Sequence, residues 1–376
     1  MGDNFNFDIF QQIYCLSFLT GSVGGHEAPE ATLQAILKEF LTETLPQLTG
    51  SWTLSWGPRV YKEIPESPEG GPDNVWFAAV DDIQKVCVVA IAGTASNSLA
   101  DIHQDLDVSN VVEFNTWVKL WSPQGIPPPT CTTPNPGTSP QPPYCAKGTC
   151  DGVWNIVNNV STEPGEGTRI DQYLRGLDSG YTVVFTGHSL GGALAPIVAL
   201  GLVQANLTGN NDVKVLPSAG VSPGNDTLAA KYAAAFPKDP SAGTGYRVYN
   251  TDYYNVFDII PQAWSIRPKD HDRNLNNILD NIVHCTGNFL PDAETFWNKA
   301  IGASYCSHIT YTPLPGESFT GRTQPPPEVD DVSALSDYAG KAHVLDYWDE
   351  LGIREFMEGS ENRFRKGVKA RVPSSA

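Results

Sequence analysis

Basic side chains are scarce in this sequence: 24 Lys and Arg stand against 42 Asp and Glu, a formal charge of −18, with a pI near 4.7. Nucleic acids and anionic lipid headgroups are bound by clustered Lys and Arg, so a polyanionic partner is not expected. The one basic stretch, Arg363, Arg365, Lys366, Lys369 and Arg371, reads as a solvated terminus. A long uninterrupted apolar run is also missing. The longest, Ala193 to Val203, contains Pro196 and follows a motif that accounts for it as a buried helix, so no transmembrane segment is expected. The opening residues Met1-Gly2-Asp3 lead into no basic-then-apolar region, and no secretory signal is visible. No cysteine spacing has the CxxC form of a metal site, and no internal repeat is present.

The seven cysteines fall into loose groups. Cys131, Cys145 and Cys150 belong to one, Cys285 and Cys306 to another, and a disulfide within each group is expected. Glycosylation triplets begin at Asn159, Asn206 and Asn225. Together these suit an extracellular protein, with a cytoplasmic one as the alternative.

A chain of 376 residues, 40% of them hydrophobic, can bury a large core, and a single domain over 1–376 is favoured. Apolar runs at Val75 to Val80, Val86 to Ile91, Tyr181 to Thr186, Val213 to Leu216 and Tyr246 to Tyr249 read as strands. Helices are expected at Thr168 to Asp178 and Ser189 to Ala205, the second apolar almost all round. Strands alternating with helices predict a mostly parallel sheet covered on both faces. Two stretches interrupt that rhythm. Residues 107–146 carry a loop rich in Pro, Thr, Ser and Gly from Pro123 to Cys145, preceded by Val111, Val112, Phe114, Trp117, Val118, Leu120 and Trp121. These apolar residues are either core or a mobile lid over an active site. A second insertion spans 265–342.

The sharpest local signal is Thr186-Gly187-His188-Ser189-Leu190-Gly191-Gly192, set between a β-rich and a helix-forming run. This is a G-x-S-x-G nucleophile elbow. The turn is tight enough that only small residues fit two positions either side of the serine, and Gly187 and Gly191 meet that need. A serine needs a base, and the base needs a carboxylate, in the chain order Ser, Asp or Glu, His. Asp258, in Asn255-Val256-Phe257-Asp258-Ile259-Ile260-Pro261, is the first choice of acid, and Asp252 its rival. Four histidines follow. His271 lies in a charged loop and His284 on an expected helix, which leaves His308, opening an apparent strand to Thr312, and His343, at the start of an amphipathic helix. His343 is preferred.

TGHSLGGALA at Thr186 to Ala195, VVAIAGT at Val88 to Thr94, GVSPGN at Gly220 to Asn225 and NVFDIIP at Asn255 to Pro261 together resemble the class 3 lipases, in family order. The resemblance implies an α/β-hydrolase fold and ester hydrolysis through Ser189, Asp258 and His343. It also implies an oxyanion hole from the amides of Thr94 and Leu190, where such donors are worth about 3 kcal/mol each. Ala92 stands where the family has an arginine. The strand that precedes the family's histidine would be the one begun by His308. No cofactor or metal is implied. The expected partner is an ester or lipid, met at a lipid–water interface. A phospholipase, a feruloyl-type esterase or an acyltransferase would use the same residues, and a non-catalytic binding protein is the alternative from another class.

Overall fold

Side chains alternate across the central strands, and both alternating sets are buried. Val75, Phe77 and Ala79 enter one core while Trp76, Ala78 and Val80 enter another. A strand apolar on both faces can be stable only when helices cover both sides of its sheet. The computed structural model describes residues 5–92 and 107–371, apart from 136, 163, 242, 268–270, 287–289 and 326–327.

In chain order, α1 (Ile9–Thr20) and α2 (Glu30–Thr44) precede β1 (Trp52–Tyr61), β2 (Asn74–Asp81) and β3 (Val86–Ala92). Next come β4 (Val111–Glu113), α3 (Phe114–Val118), β5 (Tyr144–Ala146), α4 (Lys147–Asn158) and α5 (Ile170–Gly176). The second half contains β6 (Thr182–His188), α6 (Leu190–Gln204), β7 (Asp212–Ser218), β8 (Gly224–Asn225), α7 (Asp226–Ala235) and β9 (Asp252–Asn255). After these come α8 (Leu290–Cys306), β10 (Tyr311–Thr312), β11 (Gly316–Phe319), α9 (Val332–Gly340), α10 (Asp346–Glu350) and α11 (Arg354–Arg371).

The main sheet runs β1-β2-β3-β6-β7-β9-β11. Its first two pairings are antiparallel and the rest parallel. One face is packed by α1, α2, α10 and α11, the other by α4 and α6. This is the α/β-hydrolase arrangement. A second small sheet, β10-β8-β5-β4, gathers the insertions. Among the described residues no helix is long and apolar enough to cross a membrane.

Several expectations are corrected. In place of a strand at Tyr246 to Tyr249 there is a 3₁₀ turn, Gly245–Arg247, and β9 begins at Asp252. Asn250 takes a left-handed φ of 68° and its side chain accepts from Val215 N, so the chain bends before it joins the sheet. His308 opens no strand: its φ is 58°, and only Tyr311–Thr312 pair, with β8 in the small sheet. The main-sheet strand that precedes His343 is β11, beside β9, and not one begun by His308. His284 lies beyond the end of a π-helical turn at Ile278–Ile282. All seven cysteines are free thiols. Val111, Val112, Phe114, Trp117, Val118 and Trp121 are buried, Trp121 against Gly201 of α6, whereas Leu120 is exposed.

Candidate active site

The elbow between β6 and α6 is set by sterics. A Cβ on Gly187 would lie 2.3 Å from the carbonyl oxygen of Gly191, and one on Gly191 would lie 2.1 Å from that of Ile91. Neither position admits a side chain. Ser189 itself sits at φ 61°, ψ −127°, a conformation that costs a non-glycine residue on the order of 1–3 kcal/mol and persists only where the surroundings impose it. Its amide donates to Ser218 O across to β7 at 3.0 Å. Leu190 is the first residue of α6, so its amide has no acceptor within the helix and stays available at the helix's positive end. Thr94, the other implied donor, and Gly93 before it lie outside the described residues.

Asp258 follows β9 and is fully buried. Its Oδ1 accepts from Ile260 N at 2.9 Å. Its Oδ2 lies 2.7 Å from His343 Nδ1 and accepts from the Tyr347 hydroxyl at 3.1 Å. A carboxylate on Nδ1 leaves Nε2 as the nitrogen that can take a proton from a substrate-side hydroxyl. His343 stands on a π-helical turn, Lys341–Leu345, between α9 and α10 instead of opening a helix. Its ring lies 4.5 Å from that of His188, the residue before the serine, which brings it to the elbow. Asp252, the rival acid, is engaged elsewhere: it is buried, pairs with Arg273 and accepts from Gly220 N. His308 contributes its carbonyl to Gln141, not its ring to the elbow.

Further residues hold this arrangement. Asn255 accepts from Phe257 N and Gly321 N, and its Nδ2 donates to Ala342 O and to Asp346 Oδ2. Asp346 also accepts from Thr323 N and Oγ1. Tyr347 accepts from Asn255 N at 2.9 Å while donating to Asp258. Burial is the largest cause raising the Tyr347 pKa, followed by Asp258, so the phenol keeps its proton and remains a donor. The available sequence signal was a buried-type polar residue, Asn255, three positions before the acid, and a tyrosine four after the histidine. A cavity of about 330 Å³ opens beside Leu190, lined by Tyr61, Asp73, Asp151, Trp154 and Leu194.

Comparison with known families matches residues 150–267 to the class 3 lipases. No curated protein sequence matches the chain. Among solved structures, M37 lipase is 19% identical, with 94% of this chain and 95% of that chain covered and a TM-score of 0.69. The nonglycosylated LIP2 lipase of Yarrowia lipolytica is 18% identical over 67% of this chain and 73% of its own, with a TM-score of 0.43. Sheet order, elbow and family match together define a triacylglycerol lipase-like carboxylic ester hydrolase of the α/β-hydrolase fold. The resemblance to the class 3 lipases holds over residues 150–267, a segment that contains both the elbow and Asp258.

Proposed function

We propose that the chain hydrolyses carboxylic esters, acylglycerols foremost, through an acyl-enzyme on Ser189. The observation that carries this reading is the 2.7 Å pair of His343 Nδ1 and Asp258 Oδ2, with the imidazole 4.5 Å from the ring of His188 beside the elbow. His343 takes the serine proton as the hydroxyl attacks the ester carbonyl, then gives it to the departing alcohol. Asp258 holds the tautomer and stabilises the imidazolium. The Leu190 amide, with that of Thr94 as second donor, receives the charge on the carbonyl oxygen. Water then repeats the sequence on the acyl-enzyme and frees the acid. Hydrolysis of p-nitrophenyl esters is expected to vanish in Ser189→Ala, and full activity in that variant would refute the assignment. Chain-length profiling separates the substrate classes: a rate jump above the solubility limit supports a lipid–water interface, and its absence supports a soluble-ester enzyme.

A further inference from the structure

His188 is the last residue of β6, and its side chain leaves the strand on the side opposite Gly187, toward α1. There the imidazole lies 4.5 Å from the ring of Phe18 and 4.5 Å from that of His343, at interplanar angles of 42° and 34°. Tyr347 meets it edge-on at 5.0 Å. Its Nδ1 is 2.9 Å from Ser218 Oγ on the neighbouring strand. The ring is therefore held from two sides and offers one face to the proposed general base.

The Asp258 bond alone does not fix His343. A single contact at Nδ1 sets the direction of the ring but leaves it free to rock, because χ2 of histidine is broad. A flat group packed against the ring removes that freedom. We propose that His188 is a positioning residue for His343: an aromatic plate, anchored by Ser218 and Phe18, that sets the plane of the imidazole while Asp258 sets its direction. This rests on the Ser189–His343–Asp258 reading given above.

Chemistry favours such a plate over an aliphatic one. During turnover His343 becomes an imidazolium, and a π-face attracts a cation that an alkyl group does not. The plate must itself be uncharged to do this. Burial lowers the His188 pKa well below its ordinary value, His343 lowers it further, and only the His343 backbone opposes. His188 also lines a cavity of about 330 Å³ with Phe18, Val344, Trp348 and Met357. Truncation would join that space to the back of His343 and admit water.

The test is kcat and KM for p-nitrophenyl butyrate, per active site titrated with a fluorophosphonate, in His188→Ala, His188→Phe and His188→Gln. Misplacement of a reacting group by about 1 Å costs on the order of 100-fold, so His188→Ala is expected to lose about 10- to 100-fold in kcat with KM changed less than about twofold. His188→Phe keeps the ring and is expected to recover to within about threefold of the parent, whereas His188→Gln keeps a partner for Ser218 without the ring and is expected to fall with the alanine variant. A merely structural role would lower yield and melting temperature but leave kcat per titrated site unchanged, which overturns the proposal. Should the alanine variant not fold, equal kcat for the Phe and Gln variants overturns it as well. Failure of the underlying reading is a separate result, seen as hydrolysis that survives Ser189→Ala.

Discussion

His343 Nδ1 lies 2.7 Å from Asp258 Oδ2 although 85 positions of chain separate the two residues. A carboxylate so placed selects one tautomer. Asp258→Asn keeps the shape, yet its amide can present a donor to Nδ1 and favour the wrong tautomer. The expected outcome is a folded protein whose kcat falls about 10³- to 10⁴-fold, measured with a soluble p-nitrophenyl ester. An activity loss under tenfold would remove Asp258 from its role.

Tyr347 links the acid to β9 by donating to Asp258 and accepting from Asn255 N. Tyr347→Phe leaves that buried amide without its acceptor, at a cost of about 1–3 kcal/mol. Urea denaturation should report this loss, and turnover should fall far less than in Asp258→Asn.

Arg273 and Asp252 form a buried pair in which Arg273 also donates to Leu314 O and lies over the Tyr254 ring. Removing one charge strands the other, so Arg273→Met is expected to cost about 3–5 kcal/mol, and the double variant with Asp252→Asn less. Asp252→Asn should keep its hydrolytic rate per titrated site. A collapse of that rate, like the one expected for Asp258→Asn, would show Asp252 to be the acid.

His188 makes stability depend on pH. Its pKa is lowered in the folded protein by burial and by His343, so the unfolded chain binds a proton that the folded chain refuses. This group's contribution is whole above about pH 6.5 and is lost as pH falls below that value toward the lowered one, by at most about 1.4 kcal/mol per pH unit. His26 is shifted in the same direction by burial and by Arg365, and it remains in both proteins when the parent is compared with His188→Phe. The phenylalanine variant should therefore lose less stability between pH 7 and pH 5. Equal losses would show that His188 does not titrate in this way.

The central strands and the elbow were legible because their causes are local. Val75 to Val80 and Val86 to Ile91 are apolar on both faces and lie in β2 and β3, and Gly187 answers a contact with Gly191 within a single turn, although Gly191 also answers the approach of Ile91 on β3. The stretch from Tyr246 to Tyr249 reads as a strand because it is aromatic and β-prone, but it runs into Asn250, whose left-handed backbone and bond to Val215 are tertiary facts. His308 failed as a strand residue for the same kind of reason. The apolar crowd from Val111 to Trp121 fitted either core or lid, since burial depends on partners such as Gly201 that lie far away in sequence. Asn255 stands out only as a polar residue near the acid, and neither it nor Asp346 is legible as an anchor, since nothing in their neighbourhoods shows that β9 and the Ala342 turn meet.

That meeting point has a consequence for how such a chain can diversify. Asn255, Asp346 and Tyr347 stitch the start and finish of a long excursion together at its neck, so the chain between Asn255 and Asp346 leaves and returns through one fastened gate. Each doubling of a loop's length adds only about 0.6 kcal/mol of closure entropy. Outside β11, which pairs with β9, the Arg273 anchor on Asp252, and Gly321 and Thr323 at the neck, the excursion is therefore free to change length with little disturbance to the pairing of acid and imidazole beneath it.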